Sequence, residues 1–490
     1  MPESWTRAEF LRRAAGTGAG AFLLAGGGSF AYELLETGPA EAATGSPGVH
    51  NFRTRPDLRP PIVEVVHPAQ ETADGYLFIT PLSGPGQRGA QMLDDRGNVV
   101  WFRPVATGIA ALNFRAQTYR GKPVLTWWEG KALQGLGVGQ CVIADQSYRE
   151  IARFNAGRRP ADLHEFLITP HDTALVTSNE VRTMDLTSVG GPSSWPVVGS
   201  VIHELAIPSG RVLFAWHSLD HIALDESHQT IGPQFDYFHA NSIDIDGQGN
   251  LLISARNTWA VYKVSRKTGE VIWRLGGKKS DFAMGAGTVF AWQHDARFHE
   301  HGRVISLFDD GAEPKAEPQS RALTLTLDTR RMRARLARKY THRPALLATH
   351  TGSAQLLPNG NMLVGWGSER YFTEFAPNGA VRFDARLPRG GQTYRALRFP
   401  WVGKPTLPPL LVTRPSPSGR IGYASWNGAT EVASWQLLAG PAAGALQEAL
   451  TKPRGGFETR LPIPKGSRYA AVAALDEAGN ELRRSKTIRV

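Results

Sequence analysis

One pattern occurs six times between Val63 and Leu387: a residue that precedes a strand, the strand itself, a turn rich in Gly, Asp, Pro and Asn, and an apolar return strand. A looser hairpin follows each copy, so each unit predicts four strands. A single sheet of this size cannot bury its apolar faces alone, whereas sheets stacked around an axis can. The repeat therefore predicts an all-β fold, a six-bladed β-propeller over residues 60–387. The copies begin at Val63, Asn113, Leu163, Phe238, Gln293 and Thr349.

Four of the six copies carry a histidine at the same offset before the first strand. Successive histidines are 75, 55 and 56 residues apart, and the longest gap contains an insertion at 187–200. Because the innermost strands of a propeller converge on a central channel, we expect these side chains to face one another. They are His164, His239, His294 and His350.

The chain continues beyond the repeats. Residues 388–409 are rich in Pro and Gly and predict a linker. Residues 410–490 contain alternating strands, regular turns and two tryptophans, a pattern typical of a small β-sandwich of the fibronectin type III kind. This last segment contains no set of residues suited to catalysis, which favours a role in packing or surface attachment.

Residues 1–42 have the pattern of an export signal. Arginines precede a Gly/Ala-rich apolar stretch at 14–32, and Ala40-Glu41-Ala42 is a small-residue cleavage pattern. The segment resembles a twin-arginine signal, although Ala8 stands where the second arginine is expected, unless Arg12-Arg13 takes its place. The alternative is an uncleaved membrane anchor, since about 19 apolar residues just span a bilayer. We therefore expect an exported protein, extracellular or at the cell surface, with possible attachment to the membrane or cell envelope.

Composition limits the partners. A net charge of +11 and a pI near 9.8 favour anionic partners. No zinc-finger, helix-turn-helix or RNA-binding pattern occurs, so we expect no nucleic-acid partner. The single cysteine, Cys141, excludes an intrachain disulfide and a Cys-rich metal site.

The fourth repeat is the richest in polar groups. His239 and Asn241 alternate to the same side of the first strand, and Arg256 returns to the same rim at the end of the second. An arginine can donate two parallel hydrogen bonds to sulfate or phosphate oxygens. This arrangement suits a tetrahedral oxyanion, although Arg256 could instead form a structural salt bridge between blades.

Four motifs stand out in the repeats: HANSID from His239, SARN from Ser254, WQHD from Trp292 and THTGSAQLLPNGN from Thr349. Together they resemble the bacterial arylsulfate sulfotransferases, in their shorter actinobacterial-type branch. The resemblance covers roughly residues 60–400. It implies a six-bladed propeller that moves a sulfuryl group from a phenolic sulfate ester to a phenolic acceptor, through a sulfated histidine and without a nucleotide sulfate donor or other cofactor.

The resemblance also assigns roles. It places the nucleophile on His294, the HxN pair on His239 and Asn241, the active-site arginine on Arg256 and an earlier blade histidine on His164. His350 fits the ring of histidines, and we expect it to bind substrate, to act as a base or to be structural. Better-known members carry a disulfide, which a single cysteine cannot form.

These residue types suit sulfuryl transfer. A neutral imidazole is a competent nucleophile at pH 7, and a sulfonated imidazole is a good leaving group. Charge on the three sulfuryl oxygens calls for donors and a cation, for which Arg256, His239 and His164 are the candidates. The acceptor phenol must lose a proton, and His164 or His350 can take it.

Two other functions fit part of the pattern. Four converging histidines can hold a non-haem iron, as in carotenoid-cleaving oxygenases, but such sites have an acidic partner for each histidine and seven blades, and Arg256 would repel a metal. We therefore expect no metal. A non-catalytic propeller that binds ligands or envelope partners is the second alternative, and the joint presence of His294, His239, Asn241 and Arg256 argues against it.

Overall fold

The computed structural model describes residues 5–6, 47–133, 135–417 and 419–490. Strands dominate this part of the chain, so the prediction of an all-β fold is confirmed. The expected signal or anchor at 1–42 lies outside the described residues, apart from the two-residue strand Trp5–Thr6. No described helix has the length and apolar character needed to cross a bilayer. The helical segments described are Thr187–Val189, Ser218–His221, Leu224–Glu226 and Glu300–Gly302.

Six sheets follow one another between residues 64 and 399, and we number them in chain order from their innermost strand outward. Sheet 1 contains Gln392–Phe399, Tyr76–Ser83, Gly89–Leu93 and Val99–Pro104. Sheet 2 contains Ala110–Tyr119, Lys122–Leu133, Leu136–Ala144 and Glu150–Phe154. Sheet 3 contains Phe166–Ile168, Thr173–Met184, Trp195–Ala206 and Arg211–His217, with Trp5–Thr6 and Phe235–Asp236 added.

In each of the next three sheets the first four strands are antiparallel, and Ala283–Met284 of sheet 5 is added in parallel. Sheet 4 contains Ala240–Ile245, Leu251–Ala255, Ala260–Val264 and Val271–Gly276. Sheet 5 contains His294–His299, Val304–Asp309, Arg321–Asp328, Arg333–Tyr340 and Ala283–Met284. Sheet 6 contains Ser353–Leu356, Met362–Gly365, Tyr371–Phe375, Val381–Arg386 and Glu64–His67.

The first or second strand of each sheet contacts an inner strand of the next, and sheet 6 contacts sheet 1, so the six sheets close into a ring. The second strands are apolar runs buried on both faces, as Leu251–Ala255 and Val304–Asp309 show. Such runs are typical of strands covered on both sides. The core of this region therefore lies between neighbouring sheets.

The ring closes differently from the sequence prediction. The first predicted unit began at Val63, but Glu64–His67 pairs with the outer strand of sheet 6. The innermost strand of sheet 1 is Gln392–Phe399, which lies within the predicted linker 388–409. The Gly and Pro residues that suggested a linker flank this strand, and its pairing partner is more than 300 residues away in sequence.

Several hairpins share one turn. Asp94 accepts hydrogen bonds from the backbone N–H groups two and four residues later, at 2.9 and 2.8 Å, and Gly97 adopts φ 75°. Asp246 does the same in sheet 4 with Gly249 at φ 83°. Asp satisfies the turn's donors and Gly takes the left-handed backbone without steric cost, so the local sequence D-x-x-G fixes the register.

Two further sheets follow residue 410 and share one apolar core. The three-stranded sheet contains Leu410–Ser416, Gly419–Ser425 and Glu458–Ile463; the other contains Gln447–Pro453, Ser434–Gly440, Tyr469–Leu475, Glu481–Arg484 and Ile488–Arg489. This region contacts sheet 1, where the Asn427 amide bonds both the N–H and the C=O of Phe102 at 3.0 Å. Its likeness to fibronectin type III stays a prediction.

A cluster of buried charges lies where the inner strands meet. Glu165, with a fully buried side chain, accepts hydrogen bonds from Arg115 at 3.0 Å, from Arg395 at 3.2 Å and from Arg297. Burial alone would raise the pKa of Glu165, but the three arginines hold it well below its ordinary value. The carboxylate therefore stays charged and links sheets 1, 2, 3 and 5.

We predict that Glu165→Gln lowers the free energy of unfolding by about 3–5 kcal/mol, because it leaves buried arginines without their counter-charge. Denaturation with urea measures the change. The control is Glu64→Gln, which removes an exposed pair with Arg386 and should leave the midpoint unchanged. A wild-type midpoint in Glu165→Gln would contradict the prediction.

Candidate functional site

Four histidines lie at one end of the ring. Each occupies the first residue of an inner strand or stands one to three residues before it, so all four lie at the same end of their sheets. The rings of His164 and His239 meet edge to face with centroids 4.7 Å apart. The sequence prediction that these histidines converge therefore agrees with their placement. They are His164, His239, His294 and His350.

His294 is held by a carboxylate. Its Nδ1 lies 2.7 Å from Oδ2 of Asp310, which directly follows the neighbouring strand, and both side chains are buried. An imidazole whose Nδ1–H donates to a carboxylate presents an unprotonated Nε2. In the tautomer in which Nδ1–H of His294 donates to Asp310, its Nε2 therefore carries no proton.

Two other histidines have the same arrangement. Nδ1 of His164 bonds to Asp162, and Nδ1 of His239 lies 2.7 Å from Asp236. Burial opposes ionisation of Asp162, but the charge and hydrogen bond of His164 lower its pKa to about 2. The carboxylate is therefore ionised and fixes the orientation of the His164 ring.

The environment keeps His294 neutral. Burial lowers its pKa well below 6.5, and the nearby positive charge of Arg256 and the other histidines lowers it further. Burial likewise lowers the pKa of His239, and it lowers that of His350 to about 4. Burial raises the pKa of the Asp310 carboxyl well above its ordinary value, and the positive charge of Arg256 opposes this shift.

Arg256 supplies positive charge without a carboxylate partner within the described ranges. Its Nη1 donates to Oδ1 of Asn257 at 3.0 Å, its Nη2 donates to the carbonyl of Thr349 at 3.1 Å, and its guanidinium lies 4.6 Å from the ring centroid of Trp292. The alternative of an inter-blade salt bridge is therefore wrong for the part of the chain described. The guanidinium is oriented by neutral groups, and its charge acts on the nearby Asp310 carboxyl.

Asn241 and His350, the remaining predicted residues, form hydrogen bonds beside the other site residues. The Asn241 amide donates to the carbonyl of Gln293 at 2.6 Å, which fixes the residue before His294, while its Oδ1 has no partner among the described atoms. His350 contacts Thr349 Oγ1 at 2.8 Å and Gln392 Oε1 at 3.1 Å. His350 therefore lies at the site with both ring nitrogens engaged.

Sequence reasoning missed the carboxylates that orient the histidines. Asp162 and Asp236 stand two and three residues before their histidines, a signal that the sequence does contain. Asp310 is sixteen residues from His294 and reaches it only through the pairing of the two strands, in which His294 lies opposite Phe308. Nothing local in the sequence links Asp310 to His294.

The carboxylate partners are also the feature that an iron site would require. However, no three His, Cys, Asp or Glu side chains within the described ranges are placed to hold a metal ion. Arg256 acts electrostatically on the same histidines and opposes a bound cation. The geometry therefore does not favour the metal alternative.

We predict that His294 and His350 show no titration step near pH 6.5, because burial and Arg256 disfavour their charged forms. Protein labelled with ¹³C at histidine Cε1 allows the measurement by NMR, with His294→Asn and His350→Asn for assignment. His342 serves as internal reference: burial lowers its pKa, but Asp384 outweighs burial and raises it above 6.5. A His294 midpoint at or above 6.5 would disprove the neutral imidazole.

Comparisons with known proteins place the chain in a family. A sequence model described as arylsulfotransferase (ASST) matches residues 115–387, which include the four histidines and Arg256. No curated protein matches the chain. A protein of unknown function from Bacteroides caccae is 15% identical with a TM-score of 0.42, covering 66% of this chain and 98% of its own.

Other solved structures are similarly distant. A protein from Lactobacillus plantarum is 13% identical with a TM-score of 0.37, covering 80% of this chain and 100% of its own. A putative 6-phosphogluconolactonase from Bacteroides fragilis is 10% identical with a TM-score of 0.36, covering 68% of this chain and 100% of its own. The sequence identities and TM-scores of these structures are low, whereas the family match spans more than half of the chain. The protein belongs to the arylsulfotransferase family.

Proposed function

We propose that this protein moves a sulfuryl group from a phenolic sulfate ester to a phenolic acceptor through a covalent intermediate on His294, without a nucleotide sulfate donor. The observation that carries the proposal is the pairing of a neutral, carboxylate-held imidazole with an arginine that has no carboxylate salt bridge among the described residues. The first is a nucleophile, and the second is a receptor for an anion.

In the first step, Nε2 of His294 attacks the sulfur atom of the donor. The N–S bond forms, the bond from sulfur to the aryl oxygen breaks, and the phenolate leaves with the electron pair. A phenol has a pKa near 10, so the phenolate needs little protonation. Positive charge develops on the imidazole, and Asp310 stabilises it by accepting the Nδ1 hydrogen bond.

Arg256 would stabilise the three sulfuryl oxygens during transfer. Its guanidinium carries a fixed charge in a water-poor environment, where such a charge acts strongly. His239 and His164 line the same site, with their rings edge to face. Because the hydrogen bonds to Asn257 and Thr349 already fix the guanidinium, little reorganisation is needed when an anion binds.

In the second step, the acceptor phenol attacks the sulfur atom and regenerates His294. The phenol loses its proton, and His164 is the candidate base because Asp162 holds its Nδ1 and leaves Nε2 to accept it. His350 is less suited, since its Nε2 already contacts Gln392. His350 and Asn241 are then positioning or substrate-binding residues.

The same proposal covers the architecture and location. We infer that the six sheets are the blades of a propeller, that residues 410–490 form a fibronectin type III-like sandwich, and that residues 1–42 direct export by a twin-arginine-type route. The closed ring of sheets and the shared core of the last two sheets support the first two inferences.

We predict a burst of p-nitrophenol when purified protein meets p-nitrophenyl sulfate, and faster steady release when a phenol is added. Rapid-quench mass spectrometry should find one sulfuryl group on the peptide that contains WQHDAR. His294→Ala should abolish both signals, because no nucleophile remains. Sulfation elsewhere or an active His294→Ala would refute the assignment, and a folded wild-type protein with no burst would favour the non-catalytic alternative.

We predict that Arg256→Lys lowers kcat by about 100-fold or more, because lysine keeps the charge but cannot make paired contacts with an anion. Steady-state kinetics with p-nitrophenyl sulfate measure this loss. The matched control is Arg266→Lys in the turn after the third strand of sheet 4, where the arginine pairs with Glu204 and turnover should stay unchanged. Wild-type turnover in Arg256→Lys would assign Arg256 a structural role.

A further inference from the structure

We propose that Trp259 and His228 form a binding site for the aromatic ring of the substrates, and that donor and acceptor phenols occupy it in turn. The inference rests on the proposed function and extends it to two residues with no assigned role. Their aromatic rings, their attachment to Arg256 and their unpartnered polar atoms carry it.

The aromatic rings form a continuous wall that begins at the arginine. The Arg256 guanidinium lies 4.6 Å from the ring centroid of Trp292, and Trp292 meets Trp259 edge to face at 5.1 Å. The His228 ring stacks on Trp259 with centroids 3.7 Å apart and an interplanar angle of 2°. Trp292 is fully buried, whereas Trp259 and His228 are only partly buried. The outer part of the wall is therefore accessible.

The wall is attached to the residues of the proposed site. The backbone N–H of Trp259 donates to the backbone carbonyl of Arg256 at 3.2 Å. The backbone N–H of His228 donates to the backbone carbonyl of Asn257 at 2.7 Å. The Asn257 side chain accepts from Arg256 and donates to the carbonyl of Asp236, the residue that orients His239. A group stacked on the wall would lie next to the anion held by Arg256.

Two buried polar atoms of the wall lack hydrogen-bond partners among the described atoms: Nε1 of Trp259 and Nε2 of His228. The indole N–H can only donate, so a bound ligand with an acceptor atom would satisfy it. Burial, aided by Lys278, lowers the pKa of His228 to about 4, so its ring is neutral and suited to stacking on an uncharged arene.

The backbone conformations of the two tryptophans are consistent with a role in ligand binding. Trp259 has φ 52° and Trp292 has φ 60°, in the left-handed region that bulky side chains rarely adopt. Such conformations persist where the surroundings impose them, and they cluster at ligand sites. Both residues belong to the aromatic wall that begins at Arg256.

The reaction requires one ring site for both substrates. The donor's aryl oxygen leaves sulfur from the side opposite Nε2 of His294, and the acceptor oxygen must attack from that same side. One aromatic wall beside Arg256 therefore serves the departing and the arriving phenol alternately. An arene on Trp259 can gain stacking energy beyond its burial, as aromatic pairs do.

The test compares Trp259→Leu, Trp259→Phe and His228→Leu with wild type. Isothermal titration calorimetry measures the binding of p-nitrophenol to the resting protein, which involves no turnover. We expect Trp259→Leu to weaken binding about tenfold and to lower kcat/KM for both p-nitrophenyl sulfate and phenol by a similar factor. Trp259→Phe keeps an aromatic face and should retain most of the p-nitrophenol affinity and most of kcat/KM. This variant, together with His228→Leu, tests the ring site if Trp259→Leu fails to fold.

Trp426→Leu is the matched control, since this partly buried tryptophan lies in the C-terminal region and should leave binding and kinetics unchanged. Wild-type p-nitrophenol binding and kcat/KM in folded Trp259→Leu and His228→Leu would overturn the ring site while leaving sulfuryl transfer intact. Binding that depends on Trp259 in a protein without any burst would instead overturn the proposed function and keep the ring site. A kcat/KM loss for the donor alone would disprove the shared site.

Discussion

The buried charge of Glu165 is the constraint on which the ring depends. Its carboxylate binds three arginines from sheets 1, 2 and 5 and also accepts from the Ile243 N–H in sheet 4. Such a cluster is stable only when all its members are in place, because each unpaired charge would be costly in the interior. Asp295 belongs to the same cluster, since it pairs with Arg297 at 2.7 Å and with Arg395 at 3.4 Å. Glu165 directly follows His164 in the chain, and Asp295 directly follows His294. The interactions that join the sheets therefore also set the positions of the histidines.

The site combines two opposite electrostatic designs. Each of three histidines has a carboxylate on Nδ1, which fixes its tautomer and its ring plane. Arg256 has only neutral partners, so its charge is not cancelled within the described residues. A metal centre would need histidines held by carboxylates without an uncompensated arginine beside them. The combination suits an anion that exchanges between an imidazole and an oxygen nucleophile, and the family match is consistent with it.

The sequence predicted the repeat, the all-β fold and the convergence of the histidines, because these follow from local patterns: D-x-x-G turns, apolar return strands and a fixed offset before each strand. The features that sequence analysis missed depend on contacts between residues far apart in the chain. Gln392–Phe399 pairs with Tyr76–Ser83 in sheet 1, more than 300 residues earlier in the chain. The Gly and Pro residues on either side of this strand led to the prediction of a linker. Asp310 reaches His294 through strand pairing, which single-sequence patterns do not specify. Trp259 and His228 meet through a loop contact.

The ring-closing strand gives the protein an ordered assembly. Gln392–Phe399 is the last strand of the ring in the chain, and it supplies Gln392 to His350, the Tyr394 hydroxyl to the His164 carbonyl and Arg395 to Glu165. A nascent chain that has not reached this strand contains every histidine of the site yet lacks the contacts that hold them in place. The contacts around His164 and His350 are therefore complete only after this strand has joined the ring.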